Sequence, residues 1–111
     1  MAIAERLREA VLTVVPVCVP NAYDGMEQVY CTFSIDDYPE MEGDNSPSLM
    51  RHTVQLHLHC PPSGTYDPRP AKRGLCRAIF AAGFTYPQVV DAGDLEYGHL
   101  VFEFEDVDGD L

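Results

Sequence analysis

Apolar residues along the chain recur with two different periods, and the period changes at defined points. Between residues 2 and 14, Ile3, Leu7, Ala10, Val11 and Val14 fall at helical spacing on one side, with Glu5, Arg6, Arg8 and Glu9 on the other. This pattern predicts an amphipathic helix. Pro16 and Pro20 bracket Val17, Cys18 and Val19, and the steric restriction that proline places on its predecessor predicts a short extended segment there. Asn21 to Gly25 reads as a polar turn. From 28 to 35 the period falls to two: Val29, Cys31, Phe33 and Ile35 alternate with Tyr30, Thr32 and Ser34, predicting a half-buried strand. The stretch 36–48 is rich in acids and proline and predicts a long exposed loop.

Alternation resumes over 50–60, where Val54, Leu56 and Leu58 oppose Gln55, His57 and His59. Cys60-Pro61-Pro62 ends that strand, and Ser63 to Pro70 is a second loop. Over 69–82 the helical period returns. Ala71, Leu75, Ala78, Ile79 and Ala82 form the apolar stripe, while Arg69, Arg73 and Arg77 recur every fourth residue opposite it, beside Lys72. Gly83 supplies the helix stop. Two further strands are predicted at 84–91 and 98–105, the second with Leu100, Phe102 and Phe104 inside and Glu103 and Glu105 outside. From about residue 106 the chain reads as a frayed acidic tail. This order predicts one α+β domain over 1–111: a mainly antiparallel sheet with two helices packed on one face, which buries both sets of apolar surfaces. The expected core is Phe33, Leu56, Leu58, Leu75, Ile79, Phe102 and Phe104.

Charge changes the picture more than composition does. The formal net charge is -11 and the sequence pI about 4.4, which excludes a nucleic-acid binder that works by counterion release over its whole surface. The charge is also segregated. Residues 91–111 hold eight acids and no Lys or Arg, whereas four of the seven basic residues lie between Arg69 and Arg77. Such asymmetry fits self-association of an acidic face with a basic one. No apolar run approaches the roughly 20 residues of a membrane helix, and MAIAERLREAV lacks the pattern of a signal peptide, so the expectation is folding in the cytoplasm without a membrane partner. None of the four cysteines forms a CxxC pair; buried free thiols are expected.

The sharpest chemical candidate is His57-x-His59, because residues two apart on a strand share a face. His52, His99, Cys60 or an acid would have to supply a third metal ligand, and His52 and Cys60 have the opposite parity. The expectation is that the pair does not bind metal and that the chain needs no cofactor. Asp36-Asp37 and Glu40-x-Glu42 have no base nearby. Ser46, Ser48 and Ser63 lack a nucleophile elbow, and no glycine-rich phosphate loop is present. The chain is therefore expected not to be an enzyme. The alternatives are a small metal-dependent enzyme built on His57 and His59, and an acidic module that binds a basic protein.

Four segments carry a resemblance over nearly the whole chain: ERLREAV, CTFSIDDYPEMEGDNSP, VQLHLHCPPSG and KRGLCRAIFAAGFTYPQ. Together they resemble the tail-terminator or tail-completion proteins in the neck of long-tailed phages and prophages. The resemblance implies a compact α/β virion protein, made in the host cytoplasm, that forms a hexameric ring at the head-proximal end of the tail tube. Such a ring ends tube polymerisation and meets the head-completion or connector protein, and DNA crosses its lumen without specific binding. On this reading the charge segregation marks the subunit or partner interface: Arg69, Lys72, Arg73 and Arg77 on the basic side, Glu103 and Glu105 on the acidic side.

Overall fold

A computed structural model describes residues 2–42, 46–62 and 64–108. Residues 43–45 of the GDN segment, Ser63 and the last three residues of the acidic tail lie outside the described residues, as do the side chains of Glu40 and Glu42, Ser46 and Ser48. The elements run α1 (Ile3–Val11), β1 (Cys18–Pro20), β2 (Tyr30–Glu42), β3 (Ser46–Cys60), α2 (Arg69–Ala81), β4 (Gln88–Asp91) and β5 (Gly98–Asp108). The strands form one sheet in the order β1-β2-β3-β5-β4. Only β1 and β2 run parallel; the other neighbours are antiparallel.

Alternation and pairing together make the sheet two-sided. Register sets Cys31 opposite Leu58, Phe33 opposite Leu56, and Leu56 opposite Phe102, so one face is continuously apolar. Both helices lie on that face: Leu7 and Val11 of α1 and Leu75, Cys76 and Ile79 of α2 are buried with Cys18, Phe33, Leu56, Leu58, Phe102 and Phe104 in a single core. All seven expected core residues are buried. The other face carries Tyr30, Thr32, Gln55, His57, His59, His99 and Glu103, and neither α1 nor α2 covers it.

Four boundaries differ from the periodicity. Helix α1 ends at Val11 rather than 14, because the Thr13 hydroxyl donates to the Ala10 carbonyl at 2.6 Å and Pro16 forbids a further turn. The chain stays in tight turns that still carry Val15 into the core. The acidic stretch 36–48 is not a loop: β2 and β3 continue through it as a two-stranded ribbon, paired from Tyr30 with His59 out to Glu42 with Ser46. Backbone pairing between the two strands satisfies their amides there. Strands of 13 and 15 residues at about 3.3 Å each span roughly 43 and 50 Å, close to the 54 Å long axis.

The third difference is the C-terminus. Asp106 is not frayed; β5 pairs with β3 as far as Asp108, and Asp106 receives Arg6 at 2.6 Å. Arg6 also lies over the Phe84 ring at 4.4 Å, so one side chain ties α1 to the start and end of the last β unit. The fourth is β4, which begins at Gln88 rather than 84 because Pro87 has no amide hydrogen for the ladder. Thr85 keeps the pairing alive by exchanging hydrogen bonds with the Glu105 backbone at 2.9 Å. Gly83 has φ +101°, a conformation that ends α2 and that an L side chain adopts only under strain.

Candidate functional site: two charged faces and a histidine cluster

Burial of Leu75 and Ile79 fixes the rotation of α2, and that rotation turns Lys72, Arg73 and Arg77 to solvent. Arg69 is committed locally. Its guanidinium grips Asp67 through both oxygens at 2.9 and 3.0 Å, and Asp67 also accepts the Arg69 amide. The hydrogen bonds from Arg69 hold the Asp67 carboxyl below its usual range. The exposed side of α2 continues past Arg77 with an aromatic residue. Phe80, eleven residues beyond Arg69 and thus about three turns on, is 58% exposed and meets the exposed ring of Tyr86 edge-on at 5.8 Å. An aromatic pair beside arginines is the composition that dominates interface energetics.

Glu103 and Glu105 stand on the helix-free face of β5, opposite to α2. The sheet therefore carries the two charge sets on different layers, although Tyr86, the edge-on partner of Phe80, lines one hollow with Glu103 and Glu105. Their surroundings differ. Glu103 is exposed, whereas Glu105 is half-buried and accepts Arg51 at 2.5 Å, so its charge is answered inside the subunit.

A third charged element was legible in the sequence only as a connection. The β4–β5 loop is folded on itself. Asp91 accepts the Gly93 amide at 2.9 Å, and Asp94 accepts the amides of Glu96 and Tyr97 at 2.7 and 3.1 Å. Asp94 N–H donates to the Tyr97 carbonyl and Ala92 N–H to the His99 carbonyl. A Cβ on Gly93 would approach the His99 nitrogen to 2.9 Å, which is why glycine stands there. The fold presents Leu95, 97% exposed, between Asp94 and Glu96. The signal was the pair of aspartates two or three residues ahead of the amides they cap.

The histidines converge further than their spacing implied. Antiparallel register places His99 directly opposite His59, and His57 Nδ1 lies 2.8 Å from His99 Nε2. His59 stacks on His99 with ring centroids 4.6 Å apart, and Tyr30 stacks on the other side of His59 at 4.7 Å. His59 Nε2 is 3.3 Å from the Thr32 hydroxyl. Burial, then the neighbouring imidazoles, pushes the His59 pKa down to about 4, and His57 shifts the same way through burial and His99. Among the described residues no group of three His, Cys, Asp or Glu is placed to hold a metal. His52 lies on the other face and pairs with Asp37 at 2.5 Å. An open cleft of about 590 Å3 adjoins the stack, walled by Tyr30, His59, Pro61 and Tyr97.

All four cysteines are buried and free. Burial raises each thiol, Cys18 to about 11, so none supplies a thiolate nucleophile at neutral pH. Among the described residues no helix is long and apolar enough to cross a membrane. No protein-family model matches the chain, and no curated protein matches it.

Proposed function

We propose that this chain is a non-enzymatic structural subunit that closes a phage tail: a tail-terminator or tail-completion protein. It assembles into a hexameric ring in the virion neck, stops growth of the tail tube and joins the tail to the head connector. The observation that carries the reading is the separation of charge on a rigid two-layer body. Lys72, Arg73 and Arg77 project from the helix layer, and Glu103 and the β4–β5 loop project elsewhere. A ring needs heterologous contacts, in which one patch meets a different patch on the neighbour, and this chain offers such a pair. Single exposed ion pairs contribute only about 0–1 kcal/mol; repeated around a ring they set register and partner choice, with apolar contacts supplying affinity. Acids facing a lumen repel phosphate and let DNA pass without specific binding.

The test is complementation in phage particles. Arg73→Glu with Arg77→Glu leaves the fold intact, because both side chains are exposed, and is expected to give tails of uncontrolled length or tails that fail to join heads. Normal tails and infectivity from this double substitution refute the role of the basic face. Normal tails after deletion of the whole gene refute the terminator assignment.

A further inference from the structure

The geometry points to a specific contact between two copies of this chain: the β4–β5 loop of one copy, with Leu95 at its tip, seats on the Phe80–Tyr86 pair and the flanking arginines of α2 in the next. The inference rests on the ring reading and names the surfaces that would close it. Leu95 is 97% exposed, and Phe80 and Tyr86 are 58% and 60% exposed. An apolar side chain so placed on a loop held by five hydrogen bonds within the loop and to its flanking strands is presented already ordered. Ordering costs that normally oppose association are thereby reduced.

The surrounding charges match. Leu95 is bracketed by Asp94 and Glu96, with Asp91 at the loop base, and no Lys or Arg lies in that loop. Phe80 follows Lys72, Arg73 and Arg77 on α2, and no acid lies within that helix. An apolar plug ringed by carboxylates thus faces an aromatic seat whose α2 side carries guanidinium and ammonium groups, while its Tyr86 side borders Glu103 and the Arg51-paired Glu105. The aromatic pair and Leu95 supply the desolvated centre, and the charges form its rim.

The contact must be intermolecular. Leu95 and Asp94 line a hollow shared with Pro68, at the start of α2, whereas Phe80 lies near its end. Twelve residues of helix separate the two by about 18 Å. The plug and the seat are different surfaces, so the contact is head-to-tail and every copy keeps one of each free. Such geometry propagates into a ring or chain rather than stopping at a twofold dimer.

Cysteine cross-linking of the full chain tests this, because the native cysteines are buried and wild type serves as the background control. Phe80→Cys with Leu95→Cys on one chain is expected to give a ladder of multimers on mild oxidation. Each single substitution alone stays monomeric, and an equal mixture of the two singles gives the mixed dimer, since a disulfide needs Cα atoms within about 7 Å. Adding Asp94→Lys with Glu96→Lys to the Leu95→Cys chain is expected to reduce the mixed dimer about tenfold; adding Arg73→Glu with Arg77→Glu to the Phe80→Cys chain restores it. Thermal melting of each variant verifies that the exposed substitutions leave the fold unchanged. A double-cysteine chain that stays monomeric, or singles that cross-link to themselves as readily as to each other, overturns the proposal. A failed ladder alongside defective tails removes this contact and leaves the ring reading standing. A ladder without any tail defect on gene deletion does the opposite.

Discussion

Two phenylalanines separate the stability of this protein from its assembly under one substitution. Phe102 is fully buried; it faces Leu56 on β3 and Val89 on β4 at the centre of the sheet. Phe102→Ala removes an aromatic ring from between flanking strands that cannot collapse into the space, and such truncations cost about 3–5 kcal/mol. A domain of this length has a total stability of roughly 5–15 kcal/mol, so the loss is a large share. At about 4 °C per kcal/mol near this size, the melting temperature should fall by roughly 12–20 °C. Phe80 is 58% exposed and touches Tyr86 at its edge. Phe80→Ala should therefore shift stability by no more than about 0.5 kcal/mol while weakening head-to-tail association. Urea unfolding followed by circular dichroism reads the first quantity, and sedimentation velocity over a concentration series reads the second. If Phe102→Ala leaves the unfolding midpoint within error of wild type, the strand register that puts Phe102 opposite Leu56 is wrong. If Phe80→Ala destabilises as much as Phe102→Ala, the rotation assigned to α2 is wrong.

The histidine stack makes stability depend on pH in one direction. His59 holds a folded pKa of about 4 against an ordinary 6.5, so the unfolded chain binds the proton more readily. This contribution is complete above about pH 6.5 and is lost progressively as pH falls toward 4. His59→Gln should flatten the decline in the urea midpoint between pH 7 and 5 relative to wild type, and equal slopes contradict the assignment. Buried thiols should resist a thiol reagent at pH 8 in the native protein and all react in urea; rapid native labelling of Cys18 or Cys31 would contradict the packing of β1 on β2. Gly83→Ala should cost about 1–2 kcal/mol, because φ +101° strains any residue with a Cβ; an unchanged melting temperature means that α2 ends differently.

Periodicity in the sequence determined what is local. The stripe of Leu75 and Ile79 sets α2 and its outward arginines. The alternation of Leu56 and Leu58 with His57 and His59 sets which side of β3 is wet, and the run of Phe102 and Phe104 against Glu103 and Glu105 does the same for β5. These follow from 3.6-residue and two-residue repeats that a dozen neighbours already specify. What lay beyond reach depends on partners distant in sequence. His99 joins His57 and His59 because register sets His99 across from His59, 40 residues away. The acidic stretch from Asp36 pairs as a ribbon because β3 runs alongside it, although its composition favours a loop. Glu105 loses its free charge to Arg51, and Asp106 is drawn to Arg6, through contacts between elements far apart in the chain. The apolar-tipped loop at Leu95 reads as an ordinary turn until Asp91 and Asp94 are seen to lock it. Side-chain periodicity reports one element at a time, whereas register, ion pairing and the exposure of a loop tip are set only when backbone hydrogen bonds and core packing fix the elements against one another.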